Sequence, residues 1–208
     1  YFLPYMKSSS AWPQWLERVA RLGPLQGGVF SYADLFNLLS AGSELQNKRA
    51  IRRLVREKVL RKVQRGFYTA GPVDLWVLAT RLKPGAYVSM DSVLAKNGLV
   101  GTVPERSVSA VRPGSTGASV QTPEGSLRYF GVRKDLAFGF APRADGVLVA
   151  DSEKAFIDLL YYYQKGARFV FDPRSEIKVR KLDPRRLKKY LQSYRNPKFL
   201  KFVEGVLR

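Results

Sequence analysis

The stretch SELQNKRAIRRLVREKVLRKVQRGFYTAG, Ser43 to Gly71, decides the fold of the N-terminal part of the chain. It holds nine basic residues (Lys48, Arg49, Arg52, Arg53, Arg56, Lys58, Arg61, Lys62 and Arg65) against two acids, Glu44 and Glu57. Interleaved with them is an apolar series, Ile51, Leu54, Val55 and Val59. An α-helix turns about 100° per residue. Arg49, Arg52, Arg53 and Arg56 therefore form one stripe, and the apolar residues form a second, centred about 160° away. Ser43 and Gln46 supply the S-x-x-Q of a capping box, so the helix begins there. One face is fit to pack on other helices. The other presents four guanidinium groups with Gln46 beside them and no acid within the stripe. A solvated helix face ordinarily mixes signs and gains from i,i+4 pairs. This one suits a polyanion better: phosphates along a groove, and guanine edges that accept two bonds from one arginine.

Upstream of that helix, WPQWLERVARLG predicts a first helix with Trp12, Trp15, Leu16, Val19 and Leu22 on one side and Gly23-Pro24 at its end. GGVF reads as a short extended link. Ser31, with Asp34 three residues on, opens a second helix, YADLFNLLS, and Ala41-Gly42 makes a tight turn before the third. Downstream, LRKVQ and FYT read as two strands joined at Arg65-Gly66. Helix, helix, helix, hairpin is the order of a winged helix-turn-helix, and it spans residues 12–71. At the hairpin tip two readings stay open. Arg65 enters a minor groove or clamps flanking backbone, or Gly66 is a turn glycine with a solvated arginine beside it.

At Gly71-Pro72 the composition changes, which marks a boundary before a second domain over 72–208. Asp74–Leu82 is a helix or an interdomain segment. AYV reads as a strand, Ser89 as an N-cap, and a helix follows through Asn97 to a stop at Gly98. SVSAVR, GASVQTPEG and SLRYFGV are three strands with turns at Pro113-Gly114 and Pro123-Glu124-Gly125, and GVLVA is a further strand. It leads into DSEKAFIDLLYYY, a helix capped by Asp151 or Ser152, with Ala155, Phe156, Leu159, Leu160 and Tyr163 on the core face. Asp183-Pro184 and Asn196-Pro197 each place Pro just inside an N-cap and begin two terminal helices. The expected class is α+β: a winged helix-turn-helix, then a mixed α/β domain ending in helices.

The whole chain of 208 residues carries a net charge of +19, the mark of a nucleic-acid binder or of a protein with an acidic partner. The last stretch, residues 165–208, contributes net +10 of this, with Arg180, Lys181, Arg185, Arg186, Lys188 and Lys189 close together. These extend a DNA footprint, meet an acidic partner, or are solvated; several are consecutive and point in different directions. Hydrophobic content of 45% supports a packed core. The absence of Cys and His excludes disulfides, Cys/His zinc sites, thiol nucleophiles and Ser-His-Asp triads. With no carboxylate cluster for Mg²⁺ either, no cofactor, metal ligand or catalytic residue is assigned, and the chain is not expected to be an enzyme. Tyr161 to Tyr163 read as half-buried, which argues against base stacking. No apolar run spans a membrane, and YFLPYMKSSSAW lacks the form of a signal peptide, so a cytoplasmic protein is expected, with Met6 as a candidate start.

In joint order, FSYADLFNLL, the Arg-rich helix, RKVQRGFYTAGP, AYVSMDSVLAKNGLV and VADSEKAFIDLLYYY resemble the AbiEi family of type IV toxin–antitoxin antitoxins and related transcriptional regulators. The resemblance covers about residues 12–165. It implies a repressor that binds inverted repeats in its own promoter, and a C-terminal region that counters a nucleotidyltransferase-like toxin without needing a stable complex. The family's DNA-contacting role falls on Arg49, Arg52, Arg53, Arg56 and, in the wing, Arg65. The residues themselves suggest base reading by Arg49, Arg52 and Arg53, with Gln46 toward adenine, and phosphate contacts by Lys48 and Lys62. Glu153, Lys154 and Asp158 read as structural, with an i,i+4 pair between the last two. The alternative is a protein-interaction module whose basic C-terminal half binds an acidic partner, with no cognate toxin.

Overall fold

Two reciprocal capping boxes organise the N-terminal part of the structure, a computed structural model that describes residues 11–101 and 105–208. Ser31 N–H donates to Asp34 Oδ2 at 2.7 Å and Asp34 N–H to Ser31 Oγ at 3.1 Å, which starts α2 (Tyr32–Leu39). Ser43 N–H donates to Gln46 Oε1 at 3.0 Å and Gln46 N–H to Ser43 Oγ at 3.3 Å, which starts α3 (Glu44–Arg56). Each box satisfies backbone donors that a helix start leaves open. Ahead of them α1 (Trp12–Leu22) ends where Gly23 N–H closes on Val19 O. The expected start at Met6 lies outside the described residues.

The segment expected as a plain link is a strand. β1 (Val29–Ser31) pairs antiparallel with β3 (Phe67–Thr69), which pairs in turn with β2 (Arg61–Gln64), giving the order β1-β3-β2. Val29 and Phe30 are both fully buried, so the segment shows no alternation for a sequence reading to find. Gly28 lets it in: at φ +72, a Cβ there would sit 2.3 Å from Pro72 O. The core of this unit joins Val19, Phe30, Leu35, Leu38, Leu39, Ala50, Ile51, Leu54 and Leu60, with Trp12, Trp15 and Leu16 packed at its edge.

The chain divides into two units between Asp74 and Leu75. The second holds α4 (Leu75–Leu82), β4 (Tyr87–Val88), α5 (Met90–Lys96), β5 (Ser107–Pro113), β6 (Ala118–Gln121), β7 (Ser126–Val132), β8 (Phe140–Pro142), β9 (Leu148–Ala150), α6 (Ser152–Gln164), α7 (Pro184–Leu191) and α8 (Pro197–Leu207). Its six-stranded sheet runs β6-β7-β5-β4-β9-β8. The β5–β7 and β4–β9 pairs are parallel and the others antiparallel. α6 packs against α5, α7 and α8. The chain is thus a mixed α+β protein. Among the described residues no helix is long and apolar enough to cross a membrane.

Two expectations in this unit need correction, and one strand is added. Ser89 occupies the N-cap position of α5, but its hydroxyl donates to Asp158 Oδ2 at 2.9 Å and caps nothing. β8 has no counterpart in the sequence reading. On α6 Tyr161 and Tyr163 are half-buried as expected, but Tyr162 is buried, because the apolar surface of that helix is broader than one stripe. The cap left open there is Asp151, whose side chain accepts from Lys154 N–H at 2.8 Å. Asp183 and Asn196 cap α7 and α8 as expected, each followed by Pro.

The E-K-A-x-x-D segment is a structural knot. Lys154 Nζ lies 2.6 Å from Asp158 Oδ1, with the two side chains 0% and 1% exposed. The ammonium also donates to Leu136 O at 2.8 Å and Tyr194 Oη at 3.1 Å, so all three of its protons are placed. Asp158 Oδ2 accepts from Tyr87 Oη at 3.0 Å and from Ser89. Burial pushes the Asp158 carboxyl up, against the pull of Lys154, Ser89 and Tyr87. Glu153 accepts from Asp183 N–H at 2.8 Å and so ties the start of α7 to α6.

Candidate nucleic-acid interface

α3 sorts its residues by face. Asn47, Ala50, Ile51 and Leu54 are buried, while Gln46, Lys48, Arg49, Arg52, Arg53 and Arg56 are exposed. Asn47 stays inside because its amide donates to Ser43 O at 3.1 Å, which fastens the first turn. The arginines differ in what holds them. Arg53 lays its guanidinium 4.3 Å above the Trp12 ring, an aromatic platform that restrains the side chain. Arg56 Nε donates to Glu57 Oε1 at 3.1 Å. Arg49 and Arg52 form no ion pair with any described residue.

Two of the expected contacts have local duties. Gln46 Oε1 is taken by the capping box, so the side chain does not offer adenine the paired acceptor and donor that it needs. Lys48 pairs with Glu44 at 2.5 Å; that hydrogen bond raises the lysine and lowers the carboxyl relative to their ordinary values. Both partners are well exposed, so the pair is loosely held and a phosphate can replace the carboxylate.

Between α1 and the first half of α3 lies a groove of about 550 Å³, lined by Trp15, Arg18, Gln46, Arg49 and Arg53 among others. Arg18 went unremarked in the sequence reading. It donates to Leu38 O at 2.8 Å and Leu39 O at 3.3 Å, closing the carbonyl end of α2. Gln14 and Arg21 share its flank of α1, so the sequence pattern does not set it apart.

The hairpin presents Arg61, Lys62 and Arg65 to solvent. Gln64 and Phe67 face each other, so Arg65-Gly66 is a two-residue turn, and Gly66 takes φ +80 with open space around it. The register shifts between Lys62 and Gln64, a bulge at Val63 that twists the strand ahead of the turn. Tyr32 N–H donates to Gly66 O at 2.7 Å, which ties the turn to the start of α2.

In the second unit Arg180, Lys181, Arg185, Lys188 and Lys189 are exposed around α7. Arg186 belongs to the unit's own packing, 3.3 Å from Glu153 and 3.7 Å from Asp151. Tyr161 and Tyr163 are half-buried and Tyr162 is buried. Among the described residues no group of acidic side chains is placed to hold a metal ion.

No family model matches the chain, and no curated protein matches it. Its fold is similar to that of the RV2827C protein from Mycobacterium tuberculosis, with a TM-score of 0.63 and 19% identity. The match covers 94% of this chain and 76% of that one. At that identity the likeness is one of fold.

Proposed function

We propose that the chain is a sequence-specific double-stranded DNA-binding regulator, with α1, α2, α3 and the hairpin acting as a winged helix-turn-helix. The observation that carries this reading is the outer face of α3: four exposed arginines in one stripe, of which only Arg56 meets an acid, its neighbour Glu57, among the described residues. α3 enters the major groove. Arg49 and Arg52 have no competing ion pair among the described residues and Arg53 is steadied by Trp12, so these three read base edges. Lys48, Lys62 and Arg65 contact phosphates on either side and set the register. Gln46 serves the helix start and not a base. The resemblance to AbiEi-type regulators adds repression of the chain's own promoter and antagonism of a nucleotidyltransferase-like toxin.

Titration of the full chain with promoter DNA by fluorescence anisotropy tests the reading. Arg52→Ala and Arg53→Ala each weaken binding by about 1–3 kcal/mol and relax preference at one base position. Lys62→Ala weakens all sequences alike and lowers the log–log salt slope by about 1. Wild-type affinity and preference in both arginine variants would end the α3 assignment. Growth rescue on co-expression with a neighbouring nucleotidyltransferase-like gene tests the antitoxin part separately.

A further inference from the structure

The second unit has a cleft of about 640 Å³ that the DNA-binding reading leaves unused. It lies between the end of α6 and the start of α8, and three separate stretches bring cations to it: Arg133 from the turn after β7, Lys165 from the end of α6, and Arg195 with Lys198 from the entry to α8. We infer that this cleft is a binding site for a phosphorylated small molecule.

The charge balance carries the inference. Four like charges around one cavity repel each other, and the fold supplies little to offset them. Asp135 pairs with Arg133, and these are neighbours on one exposed turn. The carboxyl of Asp135 lies below the ordinary carboxylate range, chiefly through the Arg133 hydrogen bond, with Arg195 contributing. Lys165 has a neutral partner, Tyr161 Oη at 2.8 Å. Arg195 and Lys198 form no ion pair with any described residue. Charge assembled from distant parts of the chain, with Asp135 as the one carboxylate paired among the four cations, is poised for an anion. Two arginines and two lysines suit phosphate oxygens, the arginines as two-pronged donors and the lysines as mobile point charges.

The walls are preorganised. Tyr161 packs edge-on against Tyr194 and Phe199, with ring centroids 5.8 and 5.5 Å away. Tyr194 is buried beneath the cleft and accepts from Lys154 Nζ, so the floor is anchored in the Lys154–Asp158 knot. A rigid floor under flexible cations lowers the ordering cost of binding. The volume falls in the range of small-molecule sites, about 300–1,000 Å³. A second cleft of about 640 Å³, beside α7, differs in chemistry: Arg180 and Lys188 are accompanied there by Glu204 and by a mainly aliphatic lining, so it gathers less net positive charge.

Calorimetric titration of the full chain with inorganic pyrophosphate at physiological salt tests the proposal. One site is expected. Arg195→Ala and Lys198→Ala should each weaken it about tenfold or more, since each removes a charge-assisted contact. Arg185→Ala, on α7 outside the cleft, should leave it unchanged. The altered side chains are exposed, and matching thermal unfolding curves show that the fold is kept. No saturation with millimolar pyrophosphate overturns the proposal, as does equal weakening by Arg185→Ala, which marks diffuse attraction. Loss of the site in Arg52→Ala but not in Arg195→Ala places the anion on α3 and also overturns it. So does a short duplex that needs Arg195 while pyrophosphate does not bind, because the cleft then holds DNA backbone. The α3 reading has its own assay, and its success or failure does not depend on this one.

Discussion

α3 and α6 are both helices of 13 residues, and each carries a lysine and a carboxylate four positions apart. Glu44 and Lys48 meet at 2.5 Å; Lys154 and Asp158 meet at 2.6 Å. In α3 the acid precedes the lysine, the order that favours an isolated helix; in α6 the order is reversed. Local preference therefore predicts that the α3 pair matters more. Surroundings reverse that ranking. The α3 pair is 48% and 66% exposed, and water competes for both ends. The α6 pair is closed off from water, and every donor and acceptor around it is matched by a residue from elsewhere in the unit. Sequence spacing shows that a pair forms; burial decides whether the fold depends on it.

The comparison breaks most sharply at Asp158. Asp158→Ala leaves a buried ammonium without its counter-ion and should cost about 3–5 kcal/mol in urea unfolding of the full chain. Replacing both partners, as in Lys154→Met with Asp158→Leu, should recover much of that loss, since no charge is then stranded. A double variant no more stable than Asp158→Ala alone would mean that hydrogen bonding to Tyr87 and Ser89, rather than charge, holds the knot. Removing the cap of α2 with Ser31→Ala should cost about 1 kcal/mol, because one backbone donor loses its acceptor. At the small end, Glu44→Gln should leave the unfolding midpoint unmoved and slightly raise affinity for DNA, because Lys48 is released; a large destabilisation would mean that the pair holds the start of α3 in place.

What was legible in the sequence followed from rules that act within a turn or two. Ser31-x-x-Asp34, Ser43-x-x-Gln46, Asp183-Pro184 and Asn196-Pro197 each announce a helix start with their own side chains, and the structure forms all four caps. The two stripes of α3 are equally local, and its arginines and apolar residues separate as their spacing requires. What was not legible depends on partners far away in the chain. β1 is a strand because Thr69, Tyr68 and Phe67 lie beside it. Ser89 looks like a cap by every local rule, yet Asp158, 69 positions on, takes its hydroxyl. The parallel pairing of β5 with β7 skips the intervening β6. At the candidate site, sequence spacing set the arginines on one face but was silent on Trp12 beneath Arg53 and on Arg18 closing α2.

The bond from Tyr32 N–H to Gly66 O has a mechanical meaning. It makes the hairpin tip and the first turn of α2 a single lever, clamped further down by β1 pairing with β3. A load applied at Arg65 passes through that lever into α2, and from α2 across the shared core into α3. Shortening or loosening the hairpin would therefore change the angle at which the arginine-bearing helix is presented, even with every side chain on that helix left in place.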